Sequence, residues 1–323
     1  MLSFSKNRWL NLIVLASTGI IPLLFYAAGQ TFYLDLATRL VCLAIAAISL
    51  NLILGYGGMV SFGHAVFIGI GAYAVGIPAH HATNGEFELI ATYNGFFHIL
   101  LAVVLSALFA LVTGAISLRT KGIHFIMITM AFGQMIFFFL VSLEAYGGDD
   151  GLTIDIRSEL PPLNLDNAIQ MFLVCYVVML LVVFALYKIV NSRFGMVLQG
   201  AKDNEERMRA IGFDTFKYRL TAYVIAGALC GLSGALLGNF TTFISPEMID
   251  WTRSGELIFM VLLGGSGTLV GPIIGAAVFV VVEEVLSSFT IYWHLPFGIM
   301  LILSVMFARK GLLSLFIKED END

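Results

Sequence analysis

Apolar runs of about twenty residues with few charges recur along this chain, each long enough to cross ~30 Å of hydrocarbon as a helix. The polar segments between them alternate between basic and acidic. The runs predict spans at about Trp9 to Ala28, Leu34 to Leu54, Met59 to Ala79, Phe96 to Leu118, Gly122 to Leu143, Ala168 to Val190, Tyr218 to Asn239 and Ile291 to Ala308. Ser254 to Ser287 is also almost continuously apolar, and as one helix it would measure about 51 Å. It must therefore fold back at Gly264, Gly265 and Gly267.

The charges set the sidedness. With the amino terminus in the cytosol, Lys6, Arg8, Arg119, Lys121, Lys188, Arg193, Lys202, Arg207, Arg209, Lys217, Arg219, Arg309, Lys310 and Lys318 all fall inside. These are 14 of the 17 basic residues, as the positive-inside bias requires. Only Arg39, Arg157 and Arg253 are left towards the outside, with the acidic segments His80 to Tyr93, which includes Glu86 and Glu88, and Glu144 to Asn167. The carboxyl terminus reaches the cytosol if Ser254 to Ser287 enters and returns on the outer side. Trp9, Trp251 and Trp293 fall at predicted span ends, where amphipathic rings prefer to sit. The expected fold is an all-α polytopic membrane protein with about ten membrane passages, or eight spans and a re-entrant pair. It forms a single transmembrane domain over residues 1–323, with both termini cytosolic and residues 191–217 as its one sizeable cytosolic loop. AAG at 27–29 resembles a signal-peptide cleavage site, but the apolar core before it exceeds the usual ~7–15 residues, which favours an uncleaved span.

Composition agrees: 59% hydrophobic, 12% charged and a mean hydropathy of +0.92, where a soluble domain carries roughly twice that charged fraction. A net charge of −5 argues against a nucleic-acid partner. Without a GxxxxGK[ST] loop the chain has no ATPase device, so any ATP-driven step belongs to another subunit. Cys42, Cys175 and Cys230 lie in apolar runs, read as small core residues. Asp149 and Asp150 in GGDDG lack the EF-hand spacing, and the segment reads as a turn on the outer face. No cofactor or metal ligand set is expected.

The run Asn51 to Gly76, NLILGYGGMVSFGHAVFIGIGAYAVG, is apolar yet interrupted by seven glycines. Gly55, Gly57 and Gly58 make a helix easy to break, and a break is tolerated in a bilayer only where protein or a wet cavity satisfies the freed backbone. Glycines such as Gly69 also allow close helix packing, and both readings stand. LGYGGMVSFGHAVFIGIGA (54 to 72) and LGGSGTLVGPIIGAAVF (263 to 279) form a weak internal repeat, giving two glycine-broken helix pairs; such pairs point to a transporter binding path.

Asn51 to Tyr73, which reads N-L-x-L-G-Y-x-G-x-x-S-x-G-H-A-x-F-x-G-x-G-A-Y, resembles the signature of LivM-type permease subunits of bacterial branched-chain amino acid ABC importers. Arg119 to Gly133, Gly147 to Leu152, Ser192 to Gly212 and Gly264 to Gly275 resemble the same family in the same order. The resemblance implies a permease without an enzymatic activity of its own, in the bacterial inner membrane. It would work with a homologous second permease, two ATP-binding subunits and a periplasmic amino-acid-binding protein. Urea and short-amide permeases resemble LivM closely, so the solute stays open.

Two sites are expected. Asp203 can cap a short helix in which Glu205 and Arg209 sit i,i+4, Met208 and Ile211 form an apolar knob, and Gly212 ends the turn. Read alone, this is a solvated loop or a docking element. The family resemblance, in which an EAA-like loop helix docks into the ATPase, assigns Glu206, Met208, Arg209, Ile211 and Gly212 to coupling. The broken segments place Gly57, Ser61, Gly63, His64, Gly264 and Gly267 near the translocation route, since half-helix amino termini attract a carboxylate and unwound carbonyls accept from an ammonium. His64 is a proton relay or a hydrogen-bonded structural histidine, and one of Glu283 and Glu284 could line an entrance. His98 and His124 read as interfacial. An ion-coupled secondary transporter would show ionisable residues at mid-membrane, whereas every charged residue here maps to or beyond a span end. An intramembrane enzyme lacks a paired nucleophile and base.

Overall fold

A computed structural model describes residues 8–85, 90–290, 292 and 294–307. Lys6, Glu86, Glu88, Trp293, Arg309, Lys310 and Lys318 of the charge and tryptophan map lie outside the described residues. The helices are α1 Arg8–Ala27, α2 Thr31–Asn51 continued by a π-helical turn Leu52–Tyr56, α3 Ala65–Asn84, α4 Gly95–Ser117, α5 Ile123–Val141, α6 Ala168–Val190, α7 Arg193–Asp203, α8 Glu205–Ala210, α9 Thr215–Thr241, α10 Trp251–Gly264, α11 Gly271–Phe289 and α12 His294–Phe307. Two short strands, β1 Leu152–Thr153 and β2 Phe243–Ile244, pair antiparallel.

Among the described residues, seven helical stretches are long and apolar enough to cross a membrane: Thr31–Tyr56, Ala65–Asn84, Gly95–Ser117, Ile123–Val141, Ala168–Val190, Thr215–Thr241 and Gly271–Phe289. The chain is thus a multi-pass, all-α membrane protein. The expected third span starts late: residues 57–64 are irregular, and α3 begins at Ala65 rather than Met59. The 254–287 segment does fold back, between α10 and α11. Helix α10 has 14 residues, about 21 Å, and falls short of ~30 Å of hydrocarbon.

Helix α9 is the centre, packed against α2, α3 and α4. Its small residues explain how. A Cβ added at Gly234 would run into the Ile68 carbonyl of α3, one at Gly231 into Ser106 of α4, and one at Gly71 of α3 into the Gly231 carbonyl. Helix backbones approach this closely only where side chains are minimal. Gly69, Gly71 and Gly76 therefore serve packing. Helix α4 shows the complementary logic: Ala102, Ser106, Ala110 and Thr113 face inward, while Leu100, Val104, Leu108 and Leu111 stay on the outer face. Against lipid, large apolar residues need no burial, and small ones gain most from contact.

The helix ends sort into two groups. At one end β1 pairs with β2, the Gly95 amide donates to the Glu159 carbonyl at 2.8 Å, and His81 Nε2 lies 3.0 Å from the Tyr146 hydroxyl. The GGDDG segment is a turn here, with Gly147, Gly148 and Gly151 at positive φ. His98 lies at this end, in the first turn of α4, and is buried, held by Ser158 at 2.7 Å and the Thr92 carbonyl at 2.9 Å. The opposite end collects the 57–64 segment, the α4–α5 loop, α7, α8 and the α10–α11 turn. It carries Arg119, Lys121, Lys202, Arg207, Arg209, Lys217 and Arg219 and is called the basic end below.

Candidate functional site

The break after α2 is held at both of its ends by protein groups. Within it the Met59 amide donates to the Ile53 carbonyl at 2.8 Å, and the Lys202 ammonium donates to the Gly55 carbonyl at 2.8 Å. The first amide of α3, at Ala65, is satisfied from another helix by Ser254 Oγ of α10, 3.0 Å away. These contacts replace what a continuous helix would have supplied.

The second break, residues 265–270, meets the first. Asn51 Oδ1 accepts from the Gly267 amide at 2.9 Å, and Asn51 Nδ2 donates to the Thr268 carbonyl at 2.6 Å. A Cβ at Gly55 would run into both Asn51 Oδ1 and the Gly267 amide, so the two breaks touch through bare backbone. Thr268 Oγ1 accepts from the Gly271 amide at 3.1 Å, capping the start of α11. Gly267 has φ +79° and Gly265 φ +112°, conformations that glycine alone adopts without strain.

Of the residues assigned to the route, Gly57, Ser61, Gly63, His64 and Gly264 are buried, and Gly267 is half-buried. Gly63 presses on the Thr129 carbonyl of α5, and Gly264 on the Gly271 carbonyl. The Ser61 hydroxyl lies beside the Tyr223 phenol without forming a well-shaped hydrogen bond. His64 Nε2 is 3.0 Å from Ser49 Oγ, whose own proton goes to the Ala46 carbonyl. The proton in the His64–Ser49 contact is therefore on Nε2, Nδ1 is a bare acceptor without a partner, and no carboxylate is involved.

At the basic end two helices stand where one was expected. Helix α7 runs to Asp203, and Asn204 rather than Asp203 caps α8, its Oδ1 accepting from the Arg207 amide at 2.9 Å. Gly212, at φ +92°, closes α8: the Phe213 amide reaches the Met208 carbonyl and the Gly212 amide the Arg209 carbonyl, the paired bonds of a glycine-terminated helix. The apolar knob also differs from expectation. Met208 is half-buried against Gly200 of α7, and Ile211 is 63% exposed beside exposed Phe213. Glu206 and Arg209 are exposed.

The expected i,i+4 pair of Glu205 and Arg209 forms, but sequence reasoning missed the further contacts by which Glu205 anchors this element. Glu205, its side chain only 13% exposed, is 2.6 Å from Lys121, 2.6 Å from Arg209 and 3.1 Å from Arg219, and accepts from Thr215 Oγ1 at 3.2 Å. It ties α8 to α9 and to the α4–α5 loop. Burial pushes its carboxyl pKa up, but the Lys121 hydrogen bond and the charges of Arg219, Lys121 and Arg209 outweigh that and hold it below the usual value. A cavity of about 190 Å³ opens beside it, its lining including apolar Met59, Val60 and Phe125 together with charged Lys121, Glu205 and Arg219.

One further expectation changes. The charged residues do not all sit at span ends: Arg39, two turns inside α2, pairs with Glu283 of α11 at 2.7 Å, and Arg253 with Glu256 of α10 at 2.6 Å. Glu283 thus faces a cation on α2. The cysteines are all free and buried, yet Cys42 and Cys175 meet, with 3.7 Å between their sulfurs across α2 and α6.

A sequence model of the family described as "Branched-chain amino acid transport system / permease component" matches residues 32–306. The chain is 25% identical over 303 residues to the high-affinity branched-chain amino acid transport system permease protein LivM of Salmonella typhimurium, covering 86% of this chain and 69% of that protein. It is 26% identical over 312 residues to a LivM branched-chain amino acid transport permease of Methanocaldococcus jannaschii, covering 83% and 89%. It is also 25% identical over 303 residues to the autoinducer 2 import system permease protein LsrC of Yersinia pseudotuberculosis, covering 88% and 80%. No solved structure matches.

Proposed function

The chain belongs to the permease components of branched-chain amino acid transport systems, and on that premise we propose that it moves branched-chain or related hydrophobic amino acids inward across a bacterial inner membrane while separate subunits hydrolyse ATP. The observation that carries this reading is the junction of the two broken segments at Asn51, beside the loop helices of the basic end. A zwitterionic aliphatic amino acid has no net charge, so its passage needs backbone dipoles and adaptable room rather than a fixed countercharge. Broken helices offer both, through Gly57, Ser61, Gly63, His64, Gly264 and Gly267. The cavity beside Glu205, lined by both apolar and charged residues, suits the release of such a solute.

The basic end faces the cytosol in this reading, as the positive-inside bias favours. Helices α7 and α8 meet the ATPase there, with Glu206, Met208, Arg209, Ile211 and Gly212 at or behind the contact. The partners are a second, homologous permease, two ATP-binding subunits and a periplasmic amino-acid-binding protein. The short α10 and the return of α11 give about ten passages, or eight spans and a re-entrant pair. The Arg39–Glu283 and Arg253–Glu256 pairs neutralise each other, which favours a structural role over ion coupling.

The test is reconstitution of the permease pair with ATP-binding subunits and a binding protein in proteoliposomes, following labelled leucine. ATP-dependent accumulation is expected. Uptake driven by a proton or sodium gradient without ATP would replace this reading with secondary transport. ATP-driven uptake of urea or a short amide with none of leucine would replace the solute.

A further inference from the structure

We propose that Lys202 and Asn51 are positioning residues that tie the ATPase-facing helices to both broken segments, so that a displacement of α7 and α8 reaches residues 52–64 and 265–270 together. The proposal rests on the permease reading above and names the parts through which its coupling would run.

Lys202 is the penultimate residue of α7, and Asn204, two positions on, caps α8. Its stem lies along the first break: a Cβ at Gly58 would come within 2.9 Å of Lys202 Cγ. Its ammonium ends on the Gly55 carbonyl, 2.8 Å away. A charge-assisted bond to a carbonyl is short and strong, and here the acceptor belongs to the π-helical turn itself. Movement of α7 is thereby applied to the backbone at the break, not to a side chain that could rotate away.

Asn51 carries the same movement onward. It is the last residue of α2, 1% exposed, and both ends of its amide are engaged by the opposite loop, Oδ1 with the Gly267 amide and Nδ2 with the Thr268 carbonyl. This pair copies the donor–acceptor pattern of a backbone strand, from a side chain that is itself buried. Four residues separate Asn51 from Gly55, about one helical turn. Lys202 and Gly267 therefore grip the same turn, one at its Gly55 carbonyl and the other at its Asn51 side chain. Gly55 permits this, since any side chain there would separate the two breaks.

Glu205 provides the second exit for force on α8, through Lys121 and Arg219 to the α4–α5 loop and α9. Those contacts hold helices that pack as the scaffold. Lys202 and Asn51 touch the broken segments themselves, and this sets their role apart from anchoring.

The experiment measures solute taken up per ATP hydrolysed in proteoliposomes holding the complete importer. The variants are Lys202→Met, which keeps the stem and removes the donor, Lys202→Arg, which restores donors, and Asn51→Ala. In Lys202→Met and Asn51→Ala, uptake per ATP should fall by about tenfold, the size of an ordinary coupling between sites, with ATPase association and hydrolysis retained. Lys202→Arg should recover most of it. An unchanged ratio in Lys202→Met, or no recovery in Lys202→Arg, overturns the proposal. If Asn51→Ala fails to assemble, Lys202→Met decides alone, because Lys202 is an exposed residue outside the bundle. Unmodified importer without ATP-driven uptake would defeat the permease reading instead, so the two failures are distinguishable.

Discussion

Lys121, in the loop between α4 and α5, and Glu205, the first residue of α8, meet with 2.6 Å between Nζ and Oε2. Arg209 and Arg219 share the same carboxylate, so one anion holds three cations from three parts of the chain. Replacing Glu205 with Gln leaves those cations without their counter-charge and should cost roughly 1–3 kcal/mol, read as a lower melting temperature of the purified protein. The pH dependence has a fixed sign. The folded pKa of Glu205 lies below its unfolded value, so its stabilisation is complete above the ordinary carboxylate range and is lost as pH falls through the depressed value. Stability should show an acid limb in the carboxylate range, and Glu205→Gln should reduce it. Identical acid limbs in both proteins would show that another carboxylate governs it.

Ile211 and Met208 should separate under the same substitution. Ile211→Asp alters only an exposed side chain, and the protein should insert and fold normally while binding its ATPase more weakly in pull-down. Met208→Asp also places a charge against Gly200, so it should loosen α7 from α8 and lower the melting temperature as well. Full ATPase binding and full uptake by Ile211→Asp would remove the basis for assigning this surface to coupling.

Sidedness is directly measurable because Cys42, Cys175 and Cys230 are buried and leave a quiet background. Single cysteines at Thr241 and Tyr292 should react with an impermeant reagent from outside, and one at Asn191 only from inside. External labelling at position 191 inverts the orientation.

Glycines of the two kinds should fail differently. At Gly71 a leucine would collide with the Gly231 backbone of α9, and the expected result is poor folding, at a cost of about 1–3 kcal/mol or more. Gly267 has room for a Cβ, with the nearest atom 3.6 Å away, but carries φ +79°. Gly267→Leu should assemble with the ATPase and lose leucine uptake. Normal uptake by the assembled Gly267→Leu variant would place the second break away from the route.

The spans were legible because lipid imposes length and charge placement on each segment separately. Ala168 to Val190 coincides with α6, and the excess length of Ser254 to Ser287 announced the turn between α10 and α11. What stayed hidden depends on encounters between distant segments. Met59 to Phe62 is as apolar as a helix, and nothing local says that α3 waits until Ala65. Asn51, Lys202 and Glu205 are ordinary polar residues in sequence, made particular by Gly267, Gly55 and Lys121. Arg39 read as a span-end charge because its partner, Glu283, stands far along the chain. The glycines of 51–76 could not be divided between packing and breaking until α9 was seen against α3.

The central position of α9 also bears on how the protein is made. Its binding surfaces on α2, α3 and α4 are synthesised well before it, and until it arrives Ser106 and the glycine face of α3 have only lipid to meet. Chains halted before α9 should therefore remain beside the insertion machinery and be open to membrane proteases, and protection should appear abruptly once residue 241 has left the ribosome. Maturation in the bilayer would then be a late, single event and not a helix-by-helix accretion.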